Sequence, residues 1–148
     1  MRLVPEFTDE QRVLFVAAAR SLLTANGGRP VRFRHQGRTL RGLDCIGACV
    51  WSVRALGVDI KDRTNYGRLP ANRKLAEALE ENFGPPVQGL KPADIVSMSW
   101  GAEESHVAIV TQQPERLGLI HCYRSAGHVI EHGLTDEIRS LITAAYRP

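Results

Sequence analysis

Cys45 stands in the run Gly42-Leu43-Asp44-Cys45-Ile46-Gly47-Ala48-Cys49-Val50-Trp51, whose pattern sets it in the first turn of a helix. Ile46, Cys49, Val50, Val53 and Leu56 recur at helical spacing, Asp44 fits the N-cap, and Gly57 fits the stop. A first helical turn presents unpaired backbone N–H groups and the positive end of the helix dipole, and both favour thiolate over thiol. A free thiol of pKa about 8.5 is only a few per cent ionised at neutral pH, so lowering it by about one to two units raises the reactive fraction roughly tenfold. Cys45 is therefore a candidate nucleophile. A lone cysteine is more often a small buried hydrophobe, so its partners must decide.

A nucleophilic thiol needs a base to take its proton and a third polar group to fix that base's tautomer and orientation. His106 opens the β-rich run His106-Val107-Ala108-Ile109-Val110-Thr111, and His121 lies near the end of the next, Leu117 to Tyr123. A hairpin through Gln112-Gln113-Pro114-Glu115-Arg116 brings the two imidazoles side by side, and a cysteine helix packed across that sheet brings Cys45 to His106. His128 and His132 flank a turn and read as surface residues, each a substitute for His121 as orienting group. Cys49 reads as core, and Cys122 points to the sheet face opposite His121. A zinc set of Cys45, Cys49, His106 and His121 is disfavoured, because a cysteine pair inside an apolar helix turns one thiol into packing.

The elements that must hold these residues follow from periodicity. Thr8 to Ala25 reads as an amphipathic helix opened by the capping box Thr8-Asp9-Glu10-Gln11 and ended by Asn26-Gly27-Gly28. Pro30 to Thr39 is short, basic and extended, with Gly37 and Gly42 as turns before the cysteine helix. Lys61 to Pro70 reads as an irregular polar excursion, and Asn72 to Phe83 as a helix closed by Gly84-Pro85-Pro86. The period then changes to strands: 94–98, 106–111, 117–123 and 129–132, a helical turn at 135–139, and a last strand at 141–146. Helices first and strands later predict an α+β domain with an antiparallel sheet.

The 148 residues suffice for one domain with its own core, 1–29 forming an N-terminal helical part and 30–148 the core around the cysteine. Three cysteines, an odd number, read as thiols rather than a disulfide framework. No apolar run approaches a membrane span, and Arg2 is followed by Pro5, Glu6, Asp9 and Glu10 rather than a leader core, so synthesis in the cytoplasm without membrane insertion is expected. A net charge of +3 tolerates an anionic partner, but no motif points to nucleic acid. Arg29, Arg32, Arg34, Arg38 and Arg41 read as a solvated basic face.

Four motifs in order resemble the NlpC-type papain-like cell-wall endopeptidases: Asp44-Cys45-Ile46-Gly47 for Asp-Cys-Ser-Gly, Ala93-Asp94-Ile95-Val96 for Gly-Asp-Leu-Val, His106-Val107-Ala108-Ile109 for His-Val-Gly-Ile, and Ile120-His121-Cys122 for Ile-His-Ala. The resemblance implies a papain-like fold with the nucleophile-bearing helix packed on an antiparallel sheet. It implies Cys45 as nucleophile, His106 as general base and His121 as orienting residue, with no metal or organic cofactor. It implies peptidoglycan stem peptides as substrate, cut between D-glutamate and diaminopimelate. Phe33-Arg34-His35-Gln36-Gly37-Arg38, Gly127-His128-Val129-Ile130-Glu131-His132 and the ending Ala144-Ala145-Tyr146-Arg147-Pro148 resemble the bacteriophage tail-associated branch. That branch implies a virion tail component docked to other tail-tip or baseplate proteins, with a structural tail protein of weak or no catalysis as the alternative. Cellular members carry a tyrosine upstream of the cysteine, where this chain has Phe33. His35 and Gln36 are then the candidate polar contacts for an oxyanion, beside the Cys45 backbone N–H.

Overall fold

The computed structural model of the chain describes residues 2–64, 66, 72–100 and 103–148. In chain order the elements are α1 (Asp9–Ser21), β1 (Arg38–Thr39), β2 (Gly42–Leu43), α2 (Cys45–Arg54), α3 (Asn72–Phe83), β3 (Ile95–Trp100), β4 (Glu103–Gln112), β5 (Leu117–Tyr123), β6 (His128–Gly133), α4 (Asp136–Arg139) and β7 (Ile142–Tyr146). The fold is mixed helix and sheet, with five antiparallel strands in the order β6-β5-β4-β3-β7 and a separate β1-β2 ribbon ahead of the cysteine helix. No described helix is long and apolar enough to cross a membrane.

The capping box forms: the Thr8 hydroxyl accepts from the Gln11 N–H at 3.1 Å, and the Gln11 side chain accepts from the Thr8 N–H at 2.9 Å. The helix is shorter than its sequence pattern, because the chain caps at Leu22 and then turns through Gly27 and Gly28 in the left-handed region. The segment 141–146 resolves as a strand, as expected, and its pairing with β3 gives the sheet its far edge. Much of the polar excursion expected over 61–70 lies outside the described residues.

Strand alternation builds two apolar layers. On one face Val107, Ile109, Ile120 and Cys122 pack with Phe15 and Leu22, with Ala48, Cys49 and Val53 of α2, and with Leu75, Leu79 and Phe83 of α3. On the other, Val96, Met98, Ala108, Val110, Leu119 and Ala145 pack with Leu134, Ile138 and Leu141. Each large side chain so buried contributes about 1.5–3 kcal/mol over leaving it in water.

Asp94 fastens the ends of this sheet together. Its buried carboxylate takes hydrogen bonds from Arg12 of α1 at 3.0 Å, from Arg147 at 2.9 and 2.8 Å, and from the Lys91 N–H at 2.9 Å. Two guanidiniums and a backbone N–H compensate the desolvated charge, and breaking such a set is far costlier than replacing it whole. Ala93 beside it holds φ of 75°, the left-handed region, at the position where the Gly-Asp-Leu-Val pattern has glycine.

Candidate active site

The helix that carries Cys45 begins in a cradle centred on Asp44. The Asp44 carboxylate accepts from the Gly47 N–H at 2.7 Å, which makes it the N-cap, and from Arg38 Nη1 at 3.0 Å, both on Oδ1. Its Oδ2 accepts from the Gln36 N–H at 2.9 Å and from the Tyr66 hydroxyl. Arg38 also grips Asp62 through Nε at 2.8 Å and Nη2 at 3.1 Å, and its Nη2 reaches the Tyr66 oxygen at 2.8 Å. Burial works against the charge of Arg38, but the hydrogen bond to Asp62 and the charge of Asp44 outweigh it and hold the guanidinium pKa above its ordinary range. Burial, then the hydrogen bond and charge of Asp44, push the Tyr66 phenol up, so it remains a neutral donor.

Close backbone approach explains why Gly47 follows two residues after the cysteine. A Cβ there would lie 2.1 Å from the Gly37 carbonyl oxygen and 3.1 Å from Arg38 Nη1. The helix therefore beds directly onto the chain that delivers Gln36 and Arg38. Cys45 itself is half-buried at the lip of this packing. Cys49, one turn deeper, is a core residue whose thiol pKa is pushed up by burial, then by Cys45 and Asp44.

The two predicted histidines meet. His106 Nε2 and His121 Nδ1 are 2.6 Å apart, both rings buried, with exposures of 0% and 1%. Their meeting point is where the sheet opens. The β4–β5 ladder runs from Gln112↔Leu117 to Ile109↔Ile120. Beyond it β4 stays paired with β3 through Met98↔His106 and, past a register shift, at Trp100↔Glu103, and β5 pairs with β6 as far as Tyr123↔His128, so among the described residues the two central strands part before the histidines. The imidazole pair bridges the gap. By alternation His106 and His121 belong with Met98 and Leu119, whereas Val107 and Cys122 lie under α2. The sheet face under α2 is thus the one opposite the two imidazoles. Cys122 ties the cysteine helix to that place, because its Sγ donates to the Leu43 carbonyl at 3.0 Å, two residues before Cys45. Cys122 points away from His121, as expected.

The imidazole pair has a third member. His121 Nε2 lies 2.8 Å from His132 Nε2, and His132 Nδ1 lies 3.1 Å from the Gly133 carbonyl. The Trp100 ring stacks on His132 at 5.4 Å and 15° and stands edge-on to His121 at 5.1 Å. Burial first, then the neighbouring His106 and His132, push the His121 pKa down to about 2, so the central ring is neutral at any working pH. His132 and Trp100 also line a cleft of about 700 Å³ with Arg116 and Ile138, so this end of the chain of rings opens to solvent.

Compared with known proteins, the chain matches no family model and no curated protein.

Sequence reasoning singled out Cys45, His106 and His121; the structure brings His106 and His121 together and sets Cys45 in the first turn of α2. His35 and Gln36, the expected polar contacts for an oxyanion, both lie against Tyr66. The Gln36 amide donates to the Tyr66 carbonyl at 2.7 Å, and the His35 ring stands edge-on to the Tyr66 ring at 5.7 Å. Both hold Tyr66 in place. Tyr66 was missed because nothing local marks a tyrosine in a polar loop as the partner of an aspartate 22 residues earlier. Arg38 was expected on a solvated face, yet its side chain is only 12% exposed, because two carboxylates and a phenol converge on it. Arg29, Arg32, Arg34 and Arg41 are exposed, as expected. His132, expected at the surface, is half-buried, because β6 pairs with β5 and turns its ring onto His121.

Proposed function

We propose that the chain is a papain-like cysteine endopeptidase of NlpC type that cuts peptidoglycan stem peptides, borne on a phage tail. The observation that carries this reading is the 2.6 Å His106–His121 contact at the opening between β4 and β5, where Cys122, next to His121, bonds to Leu43, two residues before Cys45. In this reading the Cys45 thiol gives its proton to His106, and Sγ attacks the scissile carbonyl. The oxyanion develops at the positive end of α2. His106 then protonates the leaving amine, and water hydrolyses the acyl-enzyme with His106 again as base. His121 orients His106. The exposed arginines ahead of the helix offer attraction to stem-peptide carboxylates. Docking to tail-tip or baseplate proteins belongs to the same proposal.

Purified peptidoglycan, digested with wild type and with Cys45→Ala, tests it: released peptides are expected from the first and none from the second. Full hydrolysis by Cys45→Ala overturns the assignment.

The second reading is a structural tail protein that keeps the scaffold with weak or no catalysis. The depth of His106, at 0% exposure, favours it, because a general base must reach substrate. Virions carrying Cys45→Ala that infect hosts with intact walls as well as wild type does would support it.

A further inference from the structure

The Gly133 carbonyl can only accept, so His132 Nδ1 carries the proton in their 3.1 Å contact. In a neutral ring that leaves His132 Nε2 as an acceptor. His121 must then donate from Nε2 across the 2.8 Å contact, which leaves its own Nδ1 as an acceptor. His106 must in turn donate from Nε2 across 2.6 Å, and its lone pair is forced onto Nδ1. One backbone carbonyl thus dictates three tautomers in sequence.

We propose that His132 is a positioning residue that, through His121, fixes His106 in the tautomer with a basic Nδ1. The inference rests on the peptidase reading for its purpose, since Nδ1 is then the atom that receives the Cys45 proton. On that transfer His106 becomes an imidazolium with its Nε2–H still donating to the His121 lone pair, and no proton leaves the rings. Neutral His121 is needed for this, and burial keeps it neutral. Asparagine or glutamine at the position of His121 would orient a base through its own amide oxygen; a histidine there has two faces and needs a further group to choose between them. His132 makes the choice. Trp100, stacked on His132 and edge-on to His121, packs against both rings and restrains their rotation.

Long-range ¹H–¹⁵N correlation of the imidazoles in the full chain reads the tautomers directly, whatever the activity. Wild type is expected to show His132 protonated at Nδ1 and both His121 and His106 at Nε2. His121 protonated at Nδ1 in wild type overturns the inference. His132→Leu removes the acceptor and is expected to move His121 toward the Nδ1–H form. It should also slow Cys45 alkylation at pH 6.5 by about tenfold, because a base in the wrong tautomer cannot take the thiol proton. His132→Gln, whose side-chain oxygen accepts from His121 Nε2–H, is expected to restore both. Unchanged His121 and His106 tautomers in a folded His132→Leu variant also overturn the inference. An ordinary Cys45 thiol in a wild type that shows the expected tautomers fails the peptidase reading alone and leaves the assignment of His132 standing.

Discussion

Replacing Asp44 with asparagine removes one charge and turns one acceptor into a donor, and the geometry says where that hurts. Oδ1 serves the Gly47 N–H at 2.7 Å and Arg38 at 3.0 Å, so the amide oxygen keeps that position and the cap survives. The new NH2 then stands where Oδ2 accepted from the Gln36 N–H at 2.9 Å and from Tyr66. The phenol can rotate and accept instead, but the Gln36 N–H faces another donor and is orphaned. An unsatisfied buried donor costs about 1–3 kcal/mol, and the charge-assisted bonds from Arg38 and Gly47 weaken by about 1 kcal/mol more. Arg38 retains Asp62, which spares the larger penalty of an uncompensated buried cation. The sum is about 3 kcal/mol, equivalent to a fall of about 6–12 °C in Tm for a chain of this size. Urea denaturation and a thermal melt measure it. A loss below about 1 kcal/mol would refute the claim that this carboxylate organises the helix start. Tyr66→Phe should cost about 1 kcal/mol, and its effect should not simply add to that of Asp44→Asn, because the two act on one contact.

Three further outcomes follow from the same geometry. Gly47→Ala drives a methyl into the Gly37 carbonyl and should destabilise the fold by about 2 kcal/mol or more while lowering Cys45 reactivity, measured by melting and by timed alkylation. His121 binds its proton far less readily folded, at a pKa of about 2, than unfolded, at 6.5, so acid favours the unfolded chain. Stability should therefore fall by up to about 1.4 kcal/mol per pH unit below pH 6.5, and the slope measured by urea titration between pH 6.5 and 5 should be shallower in His121→Gln. Equal slopes would count against a buried neutral ring. Brief iodoacetamide treatment of native protein at neutral pH should mark Cys45 and leave Cys49 unmodified by peptide mass mapping, since burial holds Cys49 as an unreactive thiol.

Local chemistry in the chain determined a good deal. The Thr8–Gln11 box, the Asp44 cap, the helical spacing behind Cys45 and the alternating runs after Asp94 each depend on neighbours within a few residues, and each formed where its pattern stands. The hairpin between β4 and β5 was equally local, and it set His106 and His121 on the same side of neighbouring strands. Partnerships between distant segments were not legible. Arg38 and Tyr66 converge on Asp44, and Asp62 on Arg38, from the ribbon and from the loop beyond α2, and no periodicity encodes a loop's return to a helix start. Whether His132 was a surface residue or the third ring depended on the β5–β6 register, since a slip of one residue would turn it to the other face. The parting of β4 from β5 was likewise a product of the whole sheet, with β3 and β6 each holding one strand. The sequence by itself determined which groups have the chemistry, because side-chain identity and short-range spacing are written along the chain. Tertiary structure decided which of them are neutral, which tautomer they hold and which face they occupy, because burial and long-range hydrogen bonding exist only once the chain has closed on itself.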